Sequence, residues 1–178
     1  MKPRILLIVV VLGFAAVTNV KAAINVYITT DPAIPGEVAT PAAFLNAWEI
    51  LSFSIGVSNP ASVGPGGITS GSNPSFSDLA LQKLLDKASV ASLLQLAQGG
   101  QLNSVTLSCV NAATNVLVYT VKLEPVVFSS IQHSGSAGGD DKPAESVTFT
   151  YAKITWTYYP PTGPSISHFY DLRTHTGG

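Results

Sequence analysis

Three histidines, a lone cysteine and a few hydroxyl and carboxylate pairs are the groups through which this chain could do chemistry. His133, His168 and His175 could offer imidazole nitrogens to a metal, but they share no ligand spacing. Ser129-Ser130 stands near His133, a nucleophile type beside a base type. No strand–turn–helix elbow surrounds the serines, and no orienting acid follows at a recognisable spacing. Asp140-Asp141 supplies carboxylates in a glycine-rich loop without the alternating oxygen ligands of a calcium loop. Gly135-Ser136-Ala137-Gly138-Gly139 precedes a strand, so no helix N-terminus completes a phosphate cradle. Trp48, Trp156, Tyr158 and Tyr159 could stack on sugars, but strand alternation turns Trp156 and Tyr158 toward the core. Cys109 alternates with Val105 and Leu107, which predicts a buried, inert thiol. These residue types form no constellation, so no catalytic, metal-binding or cofactor-binding set is assigned and the chain reads as a non-enzyme.

The elements that would position such groups are mostly strands. Ile24, Val26 and Ile28 alternate with polar neighbours in a first strand. From Trp48 to Ser58, Leu51, Phe53, Ile55 and Val57 share one face, while Ser52, Ser54, Gly56 and Ser58 share the other. Asn59 to Asn73 is rich in Pro, Gly, Ser and Asn and reads as a long loop, functional or mobile. Ser75–Lys83, Ser104–Val110, Val116–Glu124, Val126–Ile131, Ser146–Tyr159 and Ile166–Leu172 read as further strands. Asn111–Asn115 is the turn of a hairpin, and Pro125 marks a strand end or edge. In Ser146–Tyr159 the apolar parity changes from Val147, Phe149 and Tyr151 to Ile154, Trp156 and Tyr158, which predicts a β-bulge near Ala152-Lys153. One short helix follows Ser89 as N-cap, with Leu93, Leu94, Leu96 and Ala97 as its apolar stripe and Gly99-Gly100 as its stop. The expected fold is mainly β, a closed or nearly closed barrel or sandwich with one short helix.

The first 22 residues point out of the cytoplasm. Lys2 and Arg4 precede the apolar run Ile5–Val17, and Val20 and Ala22 hold the small-residue positions before a cut. That order predicts a secretory signal peptide cleaved after Ala22, shorter than a spanning helix requires. The expected product, residues 23–178, is a single exported domain with no stable membrane insertion. Without Lys2, Arg4 and Lys21 it carries six cations against ten carboxylates, a net charge of −4. No basic patch survives for nucleic acid, and little charge repulsion opposes self-association.

Several segments in order resemble one family. Trp48-Glu49-Ile50-Leu51-Ser52-Phe53-Ser54-Ile55-Gly56-Val57-Ser58-Asn59-Pro60 is similar to a strand signature of the haemolysin-coregulated protein (Hcp) family. The likeness continues through Ser75–Asp78, Leu85-Asp86-Lys87-Ala88-Ser89, the Gly99 stop, Leu123–Ile131, Glu145–Phe149, Ala152-Lys153-Ile154 and Tyr170-Asp171-Leu172. It spans about Val26 to Leu172. The resemblance implies a β-barrel of two packed antiparallel sheets with one short helix, forming hexameric rings that stack into the inner tube of type VI secretion. It also implies no catalytic residues and no cofactor, with secreted effector proteins as possible cargo. Loops contribute to ring stacking in the family, so Asn59, Pro60, Gly66, Gly67, Gly138 and Gly139 are the candidate assembly contacts. A secretory signal is unusual for a subunit assembled in the cytoplasm. The competing expectation is an exported monomeric β-sandwich that binds a carbohydrate or protein ligand through its long loops.

Overall fold

The computed structural model describes residues 23–71, 73–137 and 141–178. The expected signal peptide and its cleavage point, with Gly138, Gly139 and Asp140, therefore lie outside the described residues. Alternating apolar side chains form β1 (Ile24–Asp31), and the proline-rich segment after it carries a single 3-10 turn at Ala42–Phe44. The stretch expected as one strand from Trp48 to Ser58 is divided into β2 (Trp48–Ile50), β3 (Ser52–Ser54) and β4 (Val57–Ser58). Next come β5 (Ala61–Gly64), β6 (Gly67–Ser70), β7 (Ser75–Phe76), β8 (Leu79–Leu84) and the helix α1 (Lys87–Ala97). The rest is β9 (Gln101–Leu102), β10 (Ser104–Asn111), β11 (Leu117–Ser134), β12 (Ala144–Tyr158), β13 (Ile166–Asp171) and β14 (Thr176–Gly177).

Every pairing is antiparallel, and the main circuit returns to its start. β2 pairs with β1, β1 with β10, β10 with β11, β11 with β12 and β12 with β8. β8 pairs with β3, which continues β2 through a bend at Leu51 whose N–H donates to the Gln82 carbonyl at 2.8 Å. Closure leaves few free edges and encloses one core of Ile28, Trp48, Leu79, Leu107, Leu123, Phe149 and Ile154 with their neighbours.

The bend corrects the expected facing of this stretch. Trp48 and Ile50 point inward, Leu51 is 64% exposed, Val57 is exposed, and only Phe53 and Ile55 keep a half-buried position. The chain changes neighbours here, from β1 to β8, and its inward face changes with them. Trp48, offered above as a sugar-stacking aromatic, is buried in the core beside Phe128 and Phe149, and its indole Nε1–H donates to the Ile34 carbonyl at 2.7 Å. Tyr158, expected inside, is exposed.

The predicted bulge at Ala152-Lys153 is also replaced. The parity change is real: β12 turns Val147, Phe149 and Tyr151 inward, then Ile154. Its partner changes at the same level, with Val121 and Leu123 inward on one side of Pro125 and Val126 and Phe128 on the other. Leu123 stays opposite Ile154 and Val126 opposite Tyr151, so no extra residue is inserted. The register shifts lie instead between Cys109 and Val110 and between Phe128 and Ser130. Both outer neighbours change at this level, β8 giving way to β13 beside β12 and β10 giving way to β9 beside β11. The ribbon rounds a barrel corner, and both strands rotate together to keep apolar side chains inside. Pro125 sits within β11 at that exchange, not at a strand end, where its missing N–H costs the ladder little.

The helix begins three residues before the expected Ser89. Asp86 is the N-cap: its carboxylate accepts the Ala88 N–H at 3.0 Å, while the Ser89 hydroxyl oxygen accepts the Asp86 N–H at 3.1 Å. Gly99, at φ +65°, takes the left-handed conformation that ends it. Ala88, Ser89 and Ser92 are its buried side chains, whereas Val90, Leu93 and Leu94 face outward. The apolar stripe expected from the sequence is divided: Leu93, Leu94 and Ala97 face away from the barrel, while Leu96 is half-buried and packs against the core.

Candidate functional site

Residues 59–71, expected as part of a long loop, form an arm. Val63 pairs with Ile68 and Gly64 with Gly67 around a tip at Pro65-Gly66, and Gly67 has φ +107°, a conformation suited to glycine. At the base the Gly71 N–H donates to the Pro60 carbonyl at 2.6 Å. All of β5 and β6 is exposed, with Val63 at 81% and Ile68 at 77%. The structure thus brings together Asn59 and Pro60 at the root and Gly66 and Gly67 at the tip. It does not join Gly138 and Gly139 to them, since both lie outside the described residues. No Asp, Glu, Lys or Arg occurs from Ile50 to Ser77, so the arm carries no charge.

A buried ionic knot anchors the other end of this strand system. Lys83 on β8 and Glu145 on β12 are directly opposed, and each side chain is 1% exposed. The Lys83 ammonium donates to Glu145 Oε2 at 2.7 Å, Asp86 Oδ1 at 2.8 Å, the Leu84 carbonyl at 3.0 Å and Ser89 Oγ at 3.1 Å. It also lies 5.7 Å from the centre of the Trp48 ring. Ser89 donates to Glu145 as well, and His133 Nε2 stands 3.4 Å from the second carboxylate oxygen. Burial works to raise the Glu145 carboxyl, but Lys83, Ser89 and His133 outweigh it and hold the group below its ordinary range. The knot ties β8, β12 and the first turn of α1 together. On the surface, Glu37 receives Lys142 at 2.8 Å and the Lys87 N–H at 3.1 Å; Lys142 holds its carboxyl low.

Sequence reading missed this pair although both residues sat at inward positions. Lys83 continues the alternation of Leu79 and Leu81, and Glu145 that of Val147 and Phe149. Only the register across 62 residues shows that they meet.

The other chemical candidates fall apart geometrically. Ser129 Oγ donates to Asp78 Oδ2 at 2.7 Å, and Thr150 holds the other oxygen at 2.8 Å, while His133 belongs to the Glu145 cluster. Asp78 also raises the Tyr151 phenol, but burial is the larger cause of its rise to about 12. Cys109 is buried as expected, and burial pushes its thiol up, away from the reactive thiolate. His168 and His175 are exposed. Among the described residues no three His, Cys, Asp or Glu side chains are grouped to hold a metal. No helix among them is long and apolar enough to cross a membrane.

The fold is thus a closed antiparallel barrel with a buried ionic anchor and an uncharged arm projecting into solvent. The family model described as "Type VI secretion system effector, Hcp" matches residues 27–158, and the chain belongs to the Hcp family. Membership makes it a structural, tube-forming protein of type VI secretion. A solved type six secretion system protein superposes with a TM-score of 0.81 at 29% identity, covering 88% of this chain and 100% of its own. Hcp1 from Salmonella typhimurium gives 0.74 at 19% identity, over 87% and 99% of the two chains. A type VI secretion system effector from Yersinia pestis gives 0.67 at 23%, over 82% and 98%. The latter two likenesses concern the fold. No curated protein matches the sequence.

Proposed function

We propose that this protein is a non-enzymatic subunit that assembles into closed hexameric rings, stacks them into tubes, and carries or chaperones secreted effectors. Family membership supports the ring, and the projecting arm is the observation that carries the assembly. An isolated two-stranded hairpin is marginal in water, and this one presents a bare Val63–Ile68 pair. A second copy supplies the missing cover. Native mass spectrometry of the purified protein should give a discrete hexamer that persists at high salt, because few charges take part. A strictly monomeric species across the micromolar range would remove the ring and favour the exported binding module.

Export rests on the N-terminal leader. The soluble protein recovered from periplasm or medium should begin at Ala23 by intact mass. Soluble cytoplasmic protein retaining Met1 would overturn the export reading.

A further inference from the structure

We infer that the arm β5–β6 of one copy docks on the outward face of α1 of the next copy, an inference that rests on the ring reading above. Val90, Leu93, Leu94 and Ala97 stand at i, i+3, i+4 and i+7, a single stripe along the helix. In a helix that lies on its own barrel this stripe normally faces inward. Here Ala88, Ser89 and Ser92 take the buried side, while Val90 is 74% and Leu94 57% exposed. The inward face is committed to the ionic knot, because Ser89 must reach Lys83 and Glu145. Leu96 still packs against the core, but Val90, Leu93 and Leu94 are thereby turned out, and they remain exposed among the described residues.

The arm is the matching surface on the same chain. Both are free of charge: Ala88 to Gln98 contains no Asp, Glu, Lys or Arg, and neither does the arm. The stripe from Val90 to Ala97 is about 10 Å long at 1.5 Å per residue. The opposed Val63 and Ile68 stand about 5 Å apart, a width that seats between two successive turns of the stripe. Uncharged arm on uncharged stripe costs no desolvation of ions. Because the two patches differ, the contact is head-to-tail, so one arm and one stripe per copy continue from subunit to subunit.

The test is disulfide trapping in the full chain, with Val63→Cys and Leu93→Cys placed singly and together. Both positions are exposed, so neither change disturbs the core, and the native Cys109 is buried. The expected result is a ladder of interchain disulfide multimers from the double variant and almost none from either single variant. Dimers from Val63→Cys alone would mean that arm meets arm, and dimers from Leu93→Cys alone that helix meets helix; either overturns the pairing. A disulfide within one chain overturns it too. No trapping while native mass spectrometry still shows the unmodified ring would discard the pairing and leave the ring standing, whereas a monomeric unmodified protein would discard both. As a second readout, Leu94→Glu should weaken association at least about tenfold, with an unchanged circular dichroism spectrum. Undiminished association would count against the stripe.

Discussion

Glu145→Ala is expected to lower the stability of the protein by about 3–5 kcal/mol, the usual cost of leaving a buried charge without its partner. Lys83 would keep Asp86 and the Leu84 carbonyl but lose its closest carboxylate at 2.7 Å, and Ser89 would lose its acceptor. Replacing both members, Lys83→Met with Glu145→Met, should recover part of the loss, since no buried ammonium is left short of its carboxylate, although Asp86 then loses its cation. Urea denaturation of the wild type and the two variants decides the matter. A Glu145→Ala protein with the wild-type midpoint and slope would show that the knot contributes nothing.

The same carboxyl makes a prediction about acid. Its folded pKa lies below the ordinary value of 4.5, so the unfolded chain binds more protons in that range. The stability contributed by Glu145 is therefore fully present above about pH 4.5 and is lost as pH falls through the lower folded value. Asp171, held down to about 2 by Arg173, acts in the same direction but lies at the surface, where solvent screens it. Comparing wild type with Glu145→Gln between neutral and acid pH isolates the buried group. The variant should show the shallower acid loss.

Phe149→Ala should cost about 3–5 kcal/mol and Trp156→Ala roughly half as much. Phe149 is fully buried, with its ring 4.7 Å from Phe128 and 6.2 Å from Trp48. Nothing can collapse into the space it leaves without moving both rings. Trp156 is only half-buried, 6.2 Å from Phe76, beyond the corner where the ribbon has rotated. Alternation alone places the two side chains on equal terms. Equal losses in thermal denaturation would contradict the corner geometry; a clear excess for Phe149→Ala supports it.

Period-two patterning carried the β character and the inward positions of Cys109, Val147 and Phe149, while helical spacing with its cap and stop carried the single helix and the turn residues carried the hairpin at Asn111–Asn115. These properties depend on near neighbours in the chain, where alternation and turn chemistry act directly. The ordered segments from Trp48 to Leu172 likewise pointed to the Hcp family before any coordinates, and the match over residues 27–158 shows it.

Tertiary structure decided the rest, wherever two distant segments had to agree. Whether β12 bulges or rotates depends on what β11 does opposite it, and the paired parity change at Pro125 cannot be read from either strand alone. The helical stripe was legible, but not that Leu93 and Leu94 face out while Leu96 packs inward, because Ser89 turns inward only when Glu145 and Lys83 arrive from two other strands. Lys83 and Glu145 each looked like an isolated charge on an apolar face, an arrangement too costly to keep unpaired. Register across 62 residues makes them one ionic group, and that group turns Val90, Leu93 and Leu94 outward.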